Sequence, residues 1–432
     1  MKGGKGKEEG EVYLAMATGS GREKTGCKIG EKEEKPAGGE ATEREPAGGR
    51  ITQKESARGK MAEKKAAGKT AGRLRAGRRK GKIGVCAIVL GCMLSVFGIG
   101  AFSFAAVRES GRRSLREKEQ NITPQMENRE RDGQEAGPWE AGWIKYEGNI
   151  YCYNEEILTF LFMGIDKDNA VQKVEEGTDG GQADALFLLV LNPKNKTVQV
   201  IAINRNAMVD VRLYDSSGAY LSTVQAQIAV QHGFGDGVEE SCEYQREAVR
   251  RLFYHLPIHG YCAVNMDAII TLTDLVGGIE LTSLEDVTSA IQDETLGDYV
   301  VNEGETVLLD GRKAYSYVRY RAFDEMGSAN RRLERQKQFL GEWIRKIKGE
   351  VKEDVTLAVR LYEAVAAQTV TDISVDEILY LAGLAADYQF SMEQFYTLQG
   401  ETVQGEEFEE FYVDEDALYR MMVEVFYEPV DG

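Results

Sequence analysis

Residues 319–336, RYRAFDEMGSANRRLERQ, hold five arginines: Arg319, Arg321, Arg331, Arg332 and Arg335. A guanidinium presents a planar fork of donors that matches phosphate oxygens in pairs. Arg332 and Arg335, three residues apart, share a face if this stretch is helical. The cluster reads as a phosphate cradle or as a solvated helix face whose arginines pair with Glu334 and Glu342; pattern alone favours neither.

An acidic pair lies upstream. Asp166 closes the apolar run TFLFMGID, and Asp184 opens the next one across the polar loop 167–182. Two carboxylates at adjacent strand ends suit a hard divalent cation, since Mg²⁺ takes one or two carboxylates together with substrate phosphates and water. Spacing by itself favours the plainer reading, two loop aspartates making turn hydrogen bonds. Arg205 follows the apolar run Val198–Ile203. A charge there is costly unless exposed or paired, which places it at a strand end facing a site. The three histidines, His232, His255 and His259, form no HExxH and read as packing or surface residues. No CxxC occurs, so a cysteine zinc site is unsupported. Cys152, Cys242 and Cys262 are an odd number after the apolar segment described below, so at least one stays unpaired within the chain.

These groups need a scaffold. Thr159–Asp166, Ala183–Leu191 and Thr197–Asn204 are β-rich apolar runs, the last two joined by the hairpin sequence Asn192-Pro-Lys-Asn-Lys196. Leu221–His232 and Glu239–Tyr254 have helical spacing. Tyr261–Val264 reads as a strand, Met266–Leu275 as a helix ended by Gly277-Gly278, and Ile279–Thr282 as a short strand. Helices are expected at about 310–319, 330–348, 352–367 and 374–386, then a strand at Glu393–Leu398 and a helix from Asp414 to Tyr427. Hairpins and crossovers together predict an α/β fold, a central mixed β-sheet flanked by helices.

The 432 residues carry 53 Lys+Arg and 71 Asp+Glu, a net charge of −18. Charge is divided sharply along the chain. Residues 1–82 hold 22 basic and 12 acidic residues, residues 83–107 hold none of either, and the rest is strongly acidic. The uncharged run IGVCAIVLGCMLSVFGIGAFSFAAV exceeds the roughly 20 residues that cross a bilayer as a helix. Six basic residues, Arg73 to Lys82, precede it, which predicts a single N-terminal transmembrane helix with the N-terminus cytoplasmic and the body extracytoplasmic. Residues 1–82, rich in Gly, Lys, Glu and Ala with PAGG twice, read as a disordered cytoplasmic tail. Residues 108–147 read as an extracytoplasmic linker, 148–348 as the catalytic domain, and 349–432 as a C-terminal α/β extension. Nothing in the tail suggests a helix-turn-helix, so no specific nucleic-acid partner is expected. Collagen-like, disulfide-scaffold and polytopic membrane classes are excluded by composition.

In this order the segments resemble the LytR–CpsA–Psr family of cell-envelope phosphotransferases, from about Thr159 to Leu340. The resemblance is carried by FLFMGID, QADALFLLVLNPKNKTVQVIAINR, LSTVQAQIAVQHGFG, YCAVNMDAIITLTDLVGGIEL and LLDGRKAYSYVRYR…RRLERQKQFL. It implies transfer of a glycopolymer from a polyprenyl-pyrophosphate lipid to a peptidoglycan hydroxyl through a phosphodiester. The carrier's acyl chain would lie in a hydrophobic channel, with arginines on the pyrophosphate and Mg²⁺ or another divalent cation assisting. Asp166 matches the family's aspartate after the first strand, Asp184 the aspartate of its Arg-Ser-Asp-Thr segment, and Arg205 the arginine of its Arg-Asp pair. Arg319 and Arg321 match its Arg-x-Arg pair, and Arg332, Arg335 and Gln336 its later Arg-x-x-Arg-Gln. The resemblance thus gives Asp184, Arg205 and Arg319 as catalytic, Asp184 as candidate base or metal ligand, Arg205, Arg319, Arg321, Arg332, Arg335 and Gln336 as pyrophosphate ligands, and Asp166 with Asp184 as metal ligands.

Four positions depart from that pattern. Gln182 stands for arginine, Ala185 for threonine, Asn206 for aspartate, and Ala329 for a frequent aspartate. Asp324 or Glu325 is expected to make up for Asn206, and the acidic segment Glu401–Asp416 to lie away from the site. The losses at Gln182 and Asn206 motivate an alternative, a non-catalytic or weakly active member that binds lipid-linked envelope intermediates. The residues do not distinguish teichoic acid from capsule or other wall polymers.

Overall fold

The computed structural model describes residues 105–119, 122–127, 142–174, 180–215, 217–288, 299–322 and 325–430. The tail expected over 1–82 and the apolar run over 83–107, except its last three residues, lie outside them. Among the described residues no helix is long and apolar enough to cross a membrane.

A six-stranded mixed sheet forms the centre. Its strands are β1 (Leu158–Ile165), β2 (Ala183–Asn192), β3 (Thr197–Ile203), β4 (Gly260–Asn265), β5 (Thr369–Thr371) and β6 (Phe395–Thr397), in the spatial order β5-β4-β1-β2-β3-β6. β1–β2 and β2–β3 are antiparallel, the second pair joined by the expected hairpin at 193–196. β4 runs parallel to β1, and β6 parallel to β3. The helices are α1 (105–118), α2 (Glu239–Leu252), α3 (Ala268–Leu275), α4 (Gly311–Arg319), α5 (Ser328–Glu353), α6 (Leu357–Val365), α7 (Val375–Asp387) and α8 (Glu415–Phe426).

Strand alternation assigns the two faces of the sheet. Leu161, Ile165, Leu186, Leu188, Val190, Ile201 and Ile203 pack on one face with Ala248 and Val249 of α2 and with Leu418, Met422 and Phe426 of α8. Phe187, Val200 and Ala202 face the other way, toward Leu333 of α5. The expected central mixed sheet flanked by helices is present.

Two expectations change. Leu221–His232 is not one helix: Tyr220–Gln227 is a strand paired antiparallel with Met208–Tyr214, and a 3₁₀ helix follows at Ile228–Phe234. Ser222, Thr223 and Val224 suit the extended chain, and cross-strand pairing overrides a helical reading of the apolar spacing. The boundary at 348/349 falls inside α5, and β5 and β6 beyond it are strands of the central sheet, so the C-terminal segment is integral to the body.

The segment expected as a linker also carries structure. Residues 143–146 pair with Asn149–Tyr153. α1 docks on the body, with Leu115 fully buried. A Cβ at Gly111 would stand 2.3 Å from the Asp376 carbonyl oxygen, so only glycine permits this approach of α1 to α7. Glu377, 1% exposed, is the latch. It closes a capping box with Ser374 at the start of α7 and accepts from Ser114 Oγ at 2.7 Å and Lys118 Nζ at 3.0 Å. Glu377→Ala removes a cap and strands two partners, and is predicted to cost about 2–3 kcal/mol. A drop of several degrees in the melting temperature of the full chain, with a smaller drop for Glu377→Gln, is the expected result.

Candidate active site

Strand direction alone gathers three candidate groups. β1 ends at Ile165, antiparallel β2 begins at Ala183, and β3 returns to end at Ile203. Asp166, Asp184 and Arg205 therefore emerge at the same end of the sheet. α5 brings Arg332 to meet them.

Asp184 is the hub. Its Oδ1 lies 3.1 Å from Arg205 Nε, and its Oδ2 accepts from Arg332 Nη1 at 2.9 Å. The side chains of all three are largely buried. Burial pushes Asp184 toward its neutral form, but Arg205 and Arg332 more than offset this and hold its pKa below the ordinary carboxylate value. Burial likewise brings Arg332 down to about 10, still protonated at neutral pH. Its Nη2 is buried without a hydrogen-bond acceptor among the described residues, a donor suited to an anion.

Gln182 ties the strand ends together. Its side-chain oxygen accepts from Arg205 Nη2, its N–H donates to Asp166 Oδ1 at 2.5 Å, and its carbonyl accepts from the amides of Asp166 (3.0 Å) and Asp184 (3.1 Å). An arginine there could not accept from Arg205, so the neutral amide serves this arrangement. His232 Nδ1 donates to the neighbouring Gly181 carbonyl at 3.0 Å. Burial brings this ring, and that of His259, down to about 4, so both are neutral packing groups as expected. Cys152, Cys242 and Cys262 are all free thiols.

Asp166 behaves oppositely to Asp184. Protein packs round its carboxylate although the residue keeps solvent access, and burial together with the Asp184 charge raises its pKa. A carboxylate destabilised in this way is one that a divalent cation would stabilise. Among the described residues its Oδ1 is engaged by the Gln182 amide and its Oδ2 has no hydrogen-bond donor. Asp184 has both oxygens facing guanidinium groups. The donor set therefore fits Mg²⁺ held chiefly by Asp166 with substrate oxygens and water. No group of three or more His, Cys, Asp or Glu forms a metal cluster among the described residues.

The remaining arginines divide. Arg319, at the end of α4, points its Nη1 to Asp168 Oδ1 at 3.4 Å and to the Tyr315 hydroxyl, which itself donates to Asp168 at 2.5 Å. Arg321 donates from Nε to Ser328 Oγ at 3.0 Å and from Nη2 to Glu409 Oε2 at 3.4 Å. Arg331 pairs with Glu285 and Glu325.

Three expectations need correction. Arg335 is 1% exposed and fully engaged: it donates to the Tyr317 carbonyl at 2.9 Å and to the Tyr320 carbonyl, and pairs with Glu285. It pins the end of α4, from which Arg319 and Arg321 emerge, and is not placed as a pyrophosphate ligand. Gln336 donates to the Val318 carbonyl at 3.3 Å and lines the apolar cavity described next. Asp184 is a poor general base, because two arginines hold its proton affinity down.

An apolar cavity of about 430 Å³ abuts the cluster. Gly164 and Ala185, cross-strand neighbours beside Asp166 and Asp184, line it with Phe160, Phe187, Leu189 and Leu272. α5 supplies a stripe at helical spacing: Gln336, Phe339, Leu340, Trp343, Ile347 and Val351. One helix thus carries an arginine at the cluster and apolar side chains for about 22 Å beyond Gln336. A second cavity, of about 400 Å³ and polar, lies beside Arg112, Glu119 and His259 near the opposite ends of the strands.

Glu409, only 7% exposed, lies beside Arg321 and was not legible in sequence. It comes from the acidic segment expected to lie elsewhere. Glu325 does not compensate for Asn206, because it pairs with Arg331; Asp324 lies outside the described residues.

A carboxylate held between two arginines thus lies beside an apolar cavity at one end of the sheet. The model of the LytR_cpsA_psr family matches residues 116–424, and the chain belongs to that family. It is 25% identical over 281 residues to the polyisoprenyl-teichoic acid–peptidoglycan teichoic acid transferase TagU of Enterococcus faecalis, covering 65% of this chain and 82% of that one. It is 28% identical over 224 residues to the corresponding transferase TagV of Bacillus subtilis, covering 49% and 52%. A TagU of Halalkalibacterium halodurans is matched at 25% identity over 51% of this chain and 63% of that one. The chain thus spans about half to two-thirds of the length of the latter two relatives. Among solved structures, protein gbs0355 of Streptococcus agalactiae shares the fold, with a TM-score of 0.50 at 21% identity over 62% of this chain and 86% of that one.

The hub makes a stability prediction. A carboxylate whose pKa is lowered on folding stabilises above its unfolded pKa, and that stability is lost as pH falls through the folded value. Asp184→Asn leaves two buried guanidinium groups facing each other and is predicted to cost about 3–5 kcal/mol at pH 7. Urea denaturation should show the gap between variant and wild type narrowing at pH 3.

Proposed function

We propose that the protein is a membrane-anchored phosphotransferase that moves a glycopolymer from a polyprenyl-pyrophosphate carrier to peptidoglycan, forming a phosphodiester in cell-wall biogenesis. The observation that carries this reading is the continuity along α5, where Arg332 at the anion cluster leads through Gln336 into the apolar stripe ending at Val351. A polyprenyl pyrophosphate has the same polarity order, a dianionic head and a long apolar tail. The names of the relatives in the same family, teichoic acid transferases, support the class.

The chemistry follows from the geometry. The acceptor hydroxyl oxygen attacks the phosphorus attached to the glycan. The bond to the bridging oxygen breaks, and polyprenyl phosphate leaves while the hydroxyl proton passes to water. Phosphoryl transfer of this kind needs positioning and charge stabilisation more than covalent help. Arg332, with its unsatisfied buried donor, Arg205 and Arg321 hold the pyrophosphate; Arg319, braced by Asp168 and Tyr315, adds a fourth guanidinium. Asp184 fixes Arg205 and Arg332 in place and keeps their mutual repulsion in check. Mg²⁺ at Asp166 would neutralise charge developing on the leaving phosphate.

The test uses the full chain in detergent with a short polyprenyl-pyrophosphate-linked glycan, Mg²⁺ and a peptidoglycan oligomer, read by mass spectrometry. A phosphodiester-linked product is expected. Arg319→Ala, whose side chain is 31% exposed in the wild type, should lower turnover by about 100-fold with melting unchanged. Mg²⁺ should raise the melting temperature of the wild type and not of Asp166→Asn. Lipid binding without product supports the binding-only reading that Gln182 and Asn206 motivate; neither binding nor product overturns both.

The run 83–107 serves in this reading as the anchor, with the body extracytoplasmic. A membrane-impermeant maleimide applied to whole cells should label Cys152, a partly exposed free thiol, and leave Cys27 unlabelled. The reverse pattern would invert the topology.

A further inference from the structure

We propose that Glu409 is a positioning residue of the arginine cluster, delivered by a C-terminal hairpin that completes the site. The inference rests on the pyrophosphate-transfer reading and extends it to a segment that carries no chemical motif in the sequence.

The hairpin consists of Gly400–Gln404 paired antiparallel with Glu409–Val413. It is fastened to the residues flanking Arg205. The Phe411 amide donates to the Asn206 carbonyl at 3.0 Å, and Ala207 bridges to Phe411. Gln227 Nε2 links Asn206 Oδ1 at 3.0 Å and the Glu409 carbonyl at 2.8 Å. The other strand holds α5: Asn330 donates to Thr402 Oγ1 at 2.9 Å and accepts from Asn204 at 2.5 Å.

These attachments set the Glu409 carboxylate between two targets. Oε1 accepts from the Gly327 amide at 2.6 Å, at the N-terminus of the 26-residue α5. Gly327 has φ of 77°, a left-handed conformation that glycine adopts without strain. A negative charge there is favoured by the helix dipole. Oε2 faces Arg321 Nη2, while Ser328 holds Arg321 Nε from the other side. Arg321 is therefore gripped at two points, in register with the helix that carries Arg332. A carboxylate beside an anion site opposes simple anion affinity. Its burial there is accounted for by orientation, which fixes the guanidinium that must meet the charge forming during transfer.

Glu409→Gln keeps an acceptor for Gly327 and removes the charge facing Arg321. Measured on the full chain in detergent, its kcat is expected to fall about tenfold with KM unchanged or lower, and with melting within a few degrees of wild type. Binding of farnesyl pyrophosphate, followed by tryptophan fluorescence through Trp343 in the cavity, should be as tight as wild type or tighter. Should Glu409→Gln melt early, Glu409→Asp replaces it: the charge remains, the carboxylate retracts, and kcat falls with the fold retained. Wild-type kcat in Glu409→Gln, or losses of activity that only track melting, would overturn the proposal. If the wild type neither binds farnesyl pyrophosphate nor transfers, the proposed function itself fails and this role falls with it.

Discussion

Asp184 is shared between two guanidinium groups, and the rest of the site is arranged around that sharing. Burial, and after it the nearby Arg205, lowers the proton affinity of Arg321 and of Arg332, and Arg321 adds a further lowering at Arg332. In a medium less polar than water such crowding is costly without a counter-charge. Asp184 supplies one counter-charge from the sheet, and Glu409 a second from the far end of the chain. In the proposed function the cluster stays cationic enough for an anion and becomes stiff enough to orient one. Gln182 completes the arrangement with a neutral acceptor where a further cation would add repulsion.

The apolar cavity depends on the same strand ends. Gly164 and Ala185 carry the smallest side chains in their part of the sheet, next to the two aspartates. A Cβ on Gly164 would already press the Ala185 methyl at 3.1 Å. Small residues here leave room between sheet and α5, so the polar end of the site opens directly into its apolar part. The net negative charge of the chain is compatible with this because the arginines are buried locally and distant surface charges are screened over about 8–10 Å in physiological salt.

Much of this was legible from residues in order. The hairpin Ala183–Ile203 announces itself through two apolar runs and a Pro-containing turn, and it alone places Asp184 and Arg205 at one end. Arg332 and Arg335 show where sequence stops. Their spacing puts both on one side of a helix, but not which neighbour each meets; one faces the carboxylate hub and the other the carbonyls ending α4. The strands at Met208–Tyr214, Gly400–Gln404 and Glu409–Val413 mix charges with apolar residues and lack a clean period, so their partners define them. Glu409 has no local signal: its role comes from a contact with Arg321, 88 residues earlier in the chain.

The parallel pairing of β6 with β3 has a temporal consequence. Phe395 lies beside Val200, almost two hundred residues upstream, and Phe411 follows onto the loop after Arg205. Pairings so distant close late, because the intervening chain must be synthesised and ordered first. A chain halted before residue 395 would hold Asp166, Asp184, Arg205 and Arg332 yet lack the sheet edge and the hairpin that brace them. Completion of the chain thus doubles as a checkpoint: truncated copies carry the aspartate–arginine cluster without the framework that holds it in place.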